Sequence, residues 1–304
     1  MAELIREIVP EDLPQVKDIL GRVFGDDGSY EDIQRLGGMT NHSYKVTRAD
    51  GEYVVRIPGE GTEEMINRAD ERKSTELTCS LGIDSELLWF GDDGTKVMRF
   101  IPDPLPLDEA VMRRPENLQQ AAAIFKTLHT CGKDTGVRFE VFEMADLYER
   151  IIREAGTAFY DDYDDVRGTV MSIKEAEDAQ GEAPRVPCHN DSLVGNWVLR
   201  GDGKLFLIDW EYSGMNLAMW DLSCLSIECA YGPSEDEALL EAYYGRTPSV
   251  DERRQLAAAK LYVDYLWTLW GLTRIPYDGE FMQEYADGRY ERLKANIEAY
   301  RSIA

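Results

Sequence analysis

The stretch His189-Asn190-Asp191-Ser192-Leu193-Val194-Gly195-Asn196 has the form H-x-D-x-x-x-x-N, and Leu207-Ile208-Asp209-Trp210 then places an Asp at the end of an apolar run. Phosphoryl transfer needs a carboxylate beside the accepting hydroxyl and oxygen ligands that hold a divalent cation against phosphates. Asp191 suits the first task; Asn196 and Asp209 suit the second. The elements that must position them can be read nearby. Arg185-Val186-Pro187-Cys188 reads as an extended lead-in. Asp202-Gly203 is a two-residue hairpin signal joining residues 196–200 to residues 204–209. Such a hairpin returns Asp209 to the end of the strand pair where Asn196 begins. A single Asp is ordinarily a solvated surface residue. Three oxygen ligands flanking a turn and apolar strands are not explained that way.

With 304 residues, the chain is long enough for one large domain or two lobes, and 43% hydrophobic and 10% aromatic content is that of a globular protein. No apolar run reaches bilayer length, and Met1-Ala2-Glu3-Leu4-Ile5-Arg6-Glu7 lacks the basic-then-apolar order of a signal peptide. Five scattered cysteines fit reduced thiols, so a cytoplasmic protein is expected. Cys224 and Cys229 read as core packing rather than as a zinc pair. The formal charge of −25 argues against nucleic-acid and anionic-membrane partners. It suits approach of a cationic substrate, and equally solubility in a salty interior. Asp161-Asp162-Tyr163-Asp164-Asp165 reads as a solvated loop rather than a metal cluster.

Along the chain, residues 1–30 suggest a helix or two. Strand-like segments follow: residues 30–36, 44–47 and, after the turn Asp50-Gly51, 53–57. Residues 63–80 read as a helix, and residues 86–90 and 96–101 as a second hairpin about Asp92-Asp93-Gly94. Pro102-Asp103-Pro104-Leu105-Pro106 is a stiff connector. Beyond it the pattern is mostly helical, with stripes at Leu118, Ala121, Phe125 and Leu128 and at Leu256, Ala259, Val263, Trp267 and Trp270. The expected architecture is α+β and two-lobed: a small antiparallel-sheet lobe over residues 1–102, a hinge near 100–106, and a larger helical lobe over 103–304.

Five segments carry a family resemblance: Gly37-Gly38-Met39-Thr40-Asn41, Val55-Arg56-Ile57-Pro58-Gly59, His189-Asn190-Asp191 with Asn196, Ile208-Asp209-Trp210-Glu211-Tyr212, and the later Trp267-Thr268-Leu269-Trp270 and Tyr285-Ala286-Asp287-Gly288-Arg289-Tyr290 taken together. From about residue 30 to about residue 300 the chain resembles the choline/ethanolamine kinases, above all the bacterial choline kinases, within the aminoglycoside-phosphotransferase-like and protein-kinase-like superfamily. The resemblance implies a protein-kinase-like fold, ATP and Mg²⁺ as cofactors, and a small cationic alcohol, choline foremost, as acceptor. Ethanolamine, thiamine or an aminoglycoside is the alternative acceptor, and a non-catalytic nucleotide-binding module is the alternative of another class. A monomer or a homodimer is expected.

The resemblance also distributes roles. Gly38, Thr40, Asn41 and Ser43 would cover the phosphates, where glycines let backbone N–H groups approach. Arg56 stands where protein kinases carry Lys and would bind phosphate as a fork. Its expected partner is Glu71, with Glu76 the alternative. Met98, Phe100 and Ile101 would line the adenine pocket. Asp191 would orient the acceptor hydroxyl and take its proton, while Asn196 and Asp209 would hold Mg²⁺. His189 is expected to support the catalytic loop, His129 to be a core residue, and Asp221 to brace the loop. A quaternary ammonium cannot donate a hydrogen bond and is held by carboxylates and aromatic faces, at roughly 0.5–2 kcal/mol per cation–π contact. Trp267, Trp270, Tyr285, Glu228 and Tyr231 would form that acceptor site, with Trp210 and Glu211 beside it. Trp267 and Trp270, three apart on a helix, also suit a plain core.

Overall fold

The computed structural model describes residues 12–25, 27–37, 41–59, 66–181 and 183–303. Its first part is α1 (Leu13–Phe24), β1 (Asp32–Leu36), β2 (His42–Arg48), β3 (Gly51–Ile57), α2 (Arg68–Ser80), β4 (Leu87–Phe90) and β5 (Lys96–Arg99). The strands form one antiparallel sheet in the order β1-β2-β3-β5-β4. Period-two alternation divides its faces. Tyr44, Val46, Tyr53, Val55, Ile57 and Val97 pack with Val16, Ile19 and Leu20 of α1. The opposite face carries Ser43, Lys45, Val54, Arg56, Lys96 and Met98, aligned across strands by the pairs Ser43↔Arg56, Lys45↔Val54, Arg56↔Lys96 and Val54↔Met98.

The remainder is mostly helical: β6 (Pro104–Leu105), α3 (Glu109–Met112), α4 (Pro115–His129), α5 (Val141–Ala155), α6 (Tyr163–Asp178), β7 (Arg185–Cys188), β8 (Trp197–Arg200), β9 (Leu205–Leu207), β10 (Gly214–Leu217), α7 (Ala218–Glu228), α8 (Pro233–Tyr244), α9 (Val250–Asp278) and α10 (Glu280–Ile303). β8 and β9 form the expected hairpin, with β6 of the proline-rich connector on its outer edge; β7 pairs with β10. The α+β class with an antiparallel N-terminal sheet is as expected. Among the described residues no helix is long and apolar enough to cross a membrane.

Three local expectations are refined. The helix expected over 63–80 runs from Arg68, because the Asn67 side chain accepts the Ala69 and Asp70 N–H groups and caps it there; residues 63–65 lie outside the described residues. The acidic run at 161–165 is not wholly a loop: α6 begins at Tyr163, so Asp164 and Asp165 lie in its first turn, where the helix dipole favours negative charge. The stripe in α9 is instead an almost fully buried surface. Residues 256–273 are buried apart from Lys260, as in a helix enclosed on all sides. Leu256 and Ala259 join the core around α4 and β8, whereas Val263, Trp267 and Trp270 join the core shared with α5, α7 and α10. A capping box, Ser249 with Glu252, fixes where α9 starts.

Candidate active site

The loop after β7 is held from behind by one carboxylate. Asp221 of α7, fully buried, accepts the backbone N–H of His189 at Oδ2 and that of Asn190 at Oδ1, both at 2.8 Å, and meets His129 Nε2 at 3.0 Å. Asn190 has φ of +70°, a left-handed backbone that Asn tolerates better than most residues. Its side chain donates to the Tyr212 carbonyl and accepts from Asn216. His189 donates from Nε2 to the Ile208 carbonyl at 2.9 Å and accepts the Asp191 N–H at Nδ1. Burial lowers the His189 pKa, which keeps the imidazole neutral and suits this donor–acceptor pair. Asn196 donates its amide to the Asp191 carbonyl at 2.8 Å, and its own carbonyl accepts the Ile208 N–H at 2.9 Å. The hairpin therefore carries Asp191, Asn196 and Asp209 as one hydrogen-bonded unit. Asp209 also has a left-handed backbone, φ +69°.

Asp209 faces a cluster of charges beneath the sheet. Arg56 donates from Nη1 to Asp209 at 2.9 Å and from Nη2 to Glu71 and the Gly94 carbonyl. Arg68 bridges Glu71 at 2.8 Å and Glu211 at 3.2 Å, and Lys96 reaches Glu71 at 3.3 Å. One oxygen each of Glu71, Asp209 and Glu211 lies within 4.8 Å of the others. Asn41 donates to both Glu211 oxygens at 3.3 Å, tying the end of the glycine segment to the helical part. Burial opposes the charge of Asp209, but Arg56 and Lys96 outweigh it and hold its pKa below the usual carboxylate value. Burial and the neighbouring Asp209 push Glu211 upward.

A second group of side chains forms an aromatic row. Tyr212 meets Trp267 edge-on at 5.4 Å, Trp267 meets Trp270 at 5.9 Å, and Trp270 meets Tyr285 at 5.7 Å. Glu228, the last residue of α7, accepts from Arg289 at 2.5 Å. The Arg289 guanidinium lies 5.0 Å from the Tyr285 ring centre. Asp191 is within electrostatic reach of carboxylates from both groups. Burial, then repulsion from Glu228, Asp209 and Glu211, pushes its pKa up to about 8, against the pull of Arg289.

A family model described as choline/ethanolamine kinase matches residues 33–268. The chain belongs to the choline/ethanolamine kinase family. It is 32% identical to a choline/ethanolamine kinase family protein of Mesorhizobium loti of known structure, with a TM-score of 0.83 and 94% of each chain covered. The choline kinase LicA of Streptococcus pneumoniae is also 32% identical, with a TM-score of 0.82 over 94% of this chain and 99% of that one. A LicA structure in complex with AMP is 30% identical, with a TM-score of 0.76 over 94% and 99% of the two chains. The chain is accordingly a phosphotransferase that acts on an alcohol group, built on the kinase-like fold of these enzymes.

In this family member, three sequence expectations about the acceptor side are corrected. Trp210 is fully buried, donates its indole N–H to Asp84 at 3.0 Å and lies edge-on to His189, so it backs the catalytic loop and presents nothing to an acceptor. Tyr231 belongs to the other core and donates its hydroxyl to the Met112 carbonyl. Glu211 belongs instead to the charge cluster with Arg56, Arg68 and Asn41. Trp267, Trp270, Tyr285 and Glu228 are brought together. Between the two candidate partners of Arg56, the contact is with Glu71; Glu76 instead pairs with Arg72 near the surface. Ser43 lies opposite Arg56, and Met98 lies on the same sheet face. Phe100, beneath the Lys45 ammonium, and the buried Ile101 follow β5. Gly38 and Thr40 lie outside the described residues.

The sequence reading missed Arg68, Lys96, Tyr212 and Arg289. Lys96 was in principle detectable, because the two hairpins place it opposite Arg56. Tyr212 stood next to Glu211 in a quoted motif. Arg289 likewise lay within a quoted motif without a role, whereas Arg68 gave no signal beyond charge until its carboxylate partners were placed.

Proposed function

We propose that this kinase transfers the γ-phosphoryl group of ATP to the hydroxyl of choline, giving phosphocholine and ADP, with Mg²⁺. The observation that carries the reading is the position of Asp191. Its carboxylate is within electrostatic reach of Asp209 and Glu211, which accept from Arg56 and Arg68 on the proposed phosphate side, and of Glu228, which Arg289 links to Tyr285 and the aromatic row on the proposed acceptor side.

The residues fit a hard cation, since their donors are all oxygens. Asp209 and Asn196 would hold Mg²⁺, with Glu211 alongside; the Asn196 side-chain nitrogen is committed to Asp191 and its backbone carbonyl to Ile208, so the side-chain oxygen is the atom that would serve as ligand. When bound, the ion neutralises phosphate charge. Glu71 is committed to Arg56, Arg68 and Lys96 and serves to hold the Arg56 fork. Gly38, Thr40, Asn41 and Ser43 would meet the phosphates, and Met98, Phe100 and Ile101 the adenine, beside a hinge at residues 100–106. Asp191 orients the acceptor hydroxyl and takes its proton at a carboxylate oxygen. Its raised pKa suits that task, because a base poised near the working pH is the more effective one. Cation binding and the approach of Mg²⁺ both favour its ionised form.

Choline is favoured over ethanolamine because the site is built largely of aromatic rings, while Glu228 already accepts from Arg289. A primary ammonium requires directed acceptors. A cytoplasmic enzyme, monomeric or dimeric, agrees with the composition. The test is ATP consumption by purified protein with choline, its mono- and dimethylated precursors, ethanolamine, thiamine and an aminoglycoside. The expected result is the highest kcat/KM for choline. Highest turnover with ethanolamine would move the assignment within the family, and ATP binding with no acceptor turned over would replace it with the binding-module reading.

A further inference from the structure

We propose that Arg289 is a positioning residue for the acceptor: its guanidinium, seated between Glu228, Asp264 and the Tyr285 ring, holds that carboxylate and that ring where a cationic alcohol meets them. The inference rests on the amino-alcohol reading above.

Glu228 is the last residue of α7, where the dipole disfavours a carboxylate. Arg289 supplies the missing counter-charge. It donates from Nη2 to Glu228 Oε1 at 2.5 Å and from Nη1 to Asp264 Oδ1 at 3.4 Å, and it is only 4% exposed. Asp264, on α9, is itself fixed. It is fully buried, accepts from Arg292 Nε at 2.9 and 3.1 Å and from Arg292 Nη2 at 2.7 Å, and accepts from Asn296 at 2.8 Å. Tyr285 precedes Arg289 by four residues on α10, so ring and guanidinium share one helix face. One planar side chain therefore ties α7 and α9 through its two amino groups and stacks its own helix's ring against them. A Lys ammonium has neither the fork nor the plane.

Without Arg289, two carboxylates would face each other across its place. Asp264 is held by Arg292 and Asn296, so Glu228 is the one that would swing away, and Tyr285 would lose the group beneath its ring. Arg289→Met keeps most of the volume and removes the charge. Choline affinity is measured by calorimetry without nucleotide, and MgADP affinity without choline. In Arg289→Met, choline is expected to bind about tenfold more weakly or worse, with MgADP affinity within about twofold of the parent. In Arg289→Lys, which retains the charge and is the variant to use should Arg289→Met not fold, an intermediate loss of about threefold is expected. Unchanged or tighter choline binding in a folded variant would overturn the proposal, the tighter result marking Arg289 as a competitor for the cation's place. Equal weakening of choline and MgADP would also overturn it, as a purely structural role. A parent protein that binds MgADP but no amino alcohol would sink the underlying reading, and this inference with it, before any substitution is made.

Discussion

Asp191 is a buried carboxyl whose ionisation the site opposes. Burial first, then three neighbouring carboxylates, raise its pKa from the ordinary 3.8 to about 8. A carboxyl whose folded-state pKa lies above its unfolded value binds a proton on folding across that window. Its favourable contribution is complete below the unfolded pKa and is lost as the pH rises through the folded one. The nucleotide-free protein is therefore expected to melt at lower temperature at pH 9 than at pH 6. Asp191→Asn removes this contribution, so it should flatten the dependence and raise the pH 9 midpoint relative to the parent. Parallel pH–melting curves for the two proteins, recorded by scanning calorimetry, would contradict that account of the residue. The same substitution should reduce kcat by roughly 10²–10⁴-fold while nucleotide still binds, and near-normal turnover would remove Asp191 from the chemistry. Asp209 is the opposite case, held ionised by Arg56 and Lys96 against its burial. Asp209→Asn leaves the Arg56 fork one partner short and weakens the metal site. Mg²⁺ titration of activity should shift to higher concentration, with kcat reduced by roughly 10²-fold; an unchanged Mg²⁺ response would place the ion elsewhere.

At the scale of elements, the catalytic hairpin was legible in the sequence and the close approach of α9 to α10 was not. Asp202-Gly203 and the apolar runs on either side define β8 and β9 by local rules alone, so Asn196 and Asp209 could be placed together before any coordinates. Tyr231 and Trp210 were misplaced because family order along a chain does not say which of two cores a buried ring enters. The acceptor side depends on helices far apart in sequence, and its decisive contact involves a residue with no side chain. A Cβ built on Gly271 would lie 2.9 Å from Tyr285 Cδ1 and 3.1 Å from Ala286 Cβ. Gly271 adjoins Trp270, so the absence of a Cβ there lets α10 bring Tyr285 onto the tryptophan. Gly271→Ala gains helix propensity, worth about 1 kcal/mol in an open site, but overpacking costs typically 1–3 kcal/mol. The expected outcome is a folded protein of equal or slightly lower stability with a several-fold higher KM for choline and an unchanged KM for ATP. A variant that gains stability and keeps both KM values would show that α10 yields without moving the ring.

At the scale of the whole molecule, the formal charge of −25 acts on the two substrates in opposite senses. On the proposed reading, a choline cation would approach down the field of the protein, whereas MgATP would approach against it and be received by Arg56, Arg68 and Lys96. All three of these cations are paired with carboxylates, so they neutralise the cleft locally and do not reverse the long-range field. Long-range steering is screened once the Debye length falls well below the size of the protein, from about 10 Å at 0.1 M salt to about 3 Å at 1 M. Short contacts inside the cleft are screened far less. Raising NaCl from about 0.05 M to about 0.5 M should therefore lower kcat/KM for choline several-fold through the association step. The same change should leave kcat/KM for ATP constant or raise it, and should leave kcat nearly fixed. A neutral acceptor of similar size, 3,3-dimethylbutanol, separates steering from general salt effects, because it has the shape of choline without the charge. If its kcat/KM falls with salt as steeply as that of choline, the acidity of the chain does not direct the substrate and reflects solubility alone.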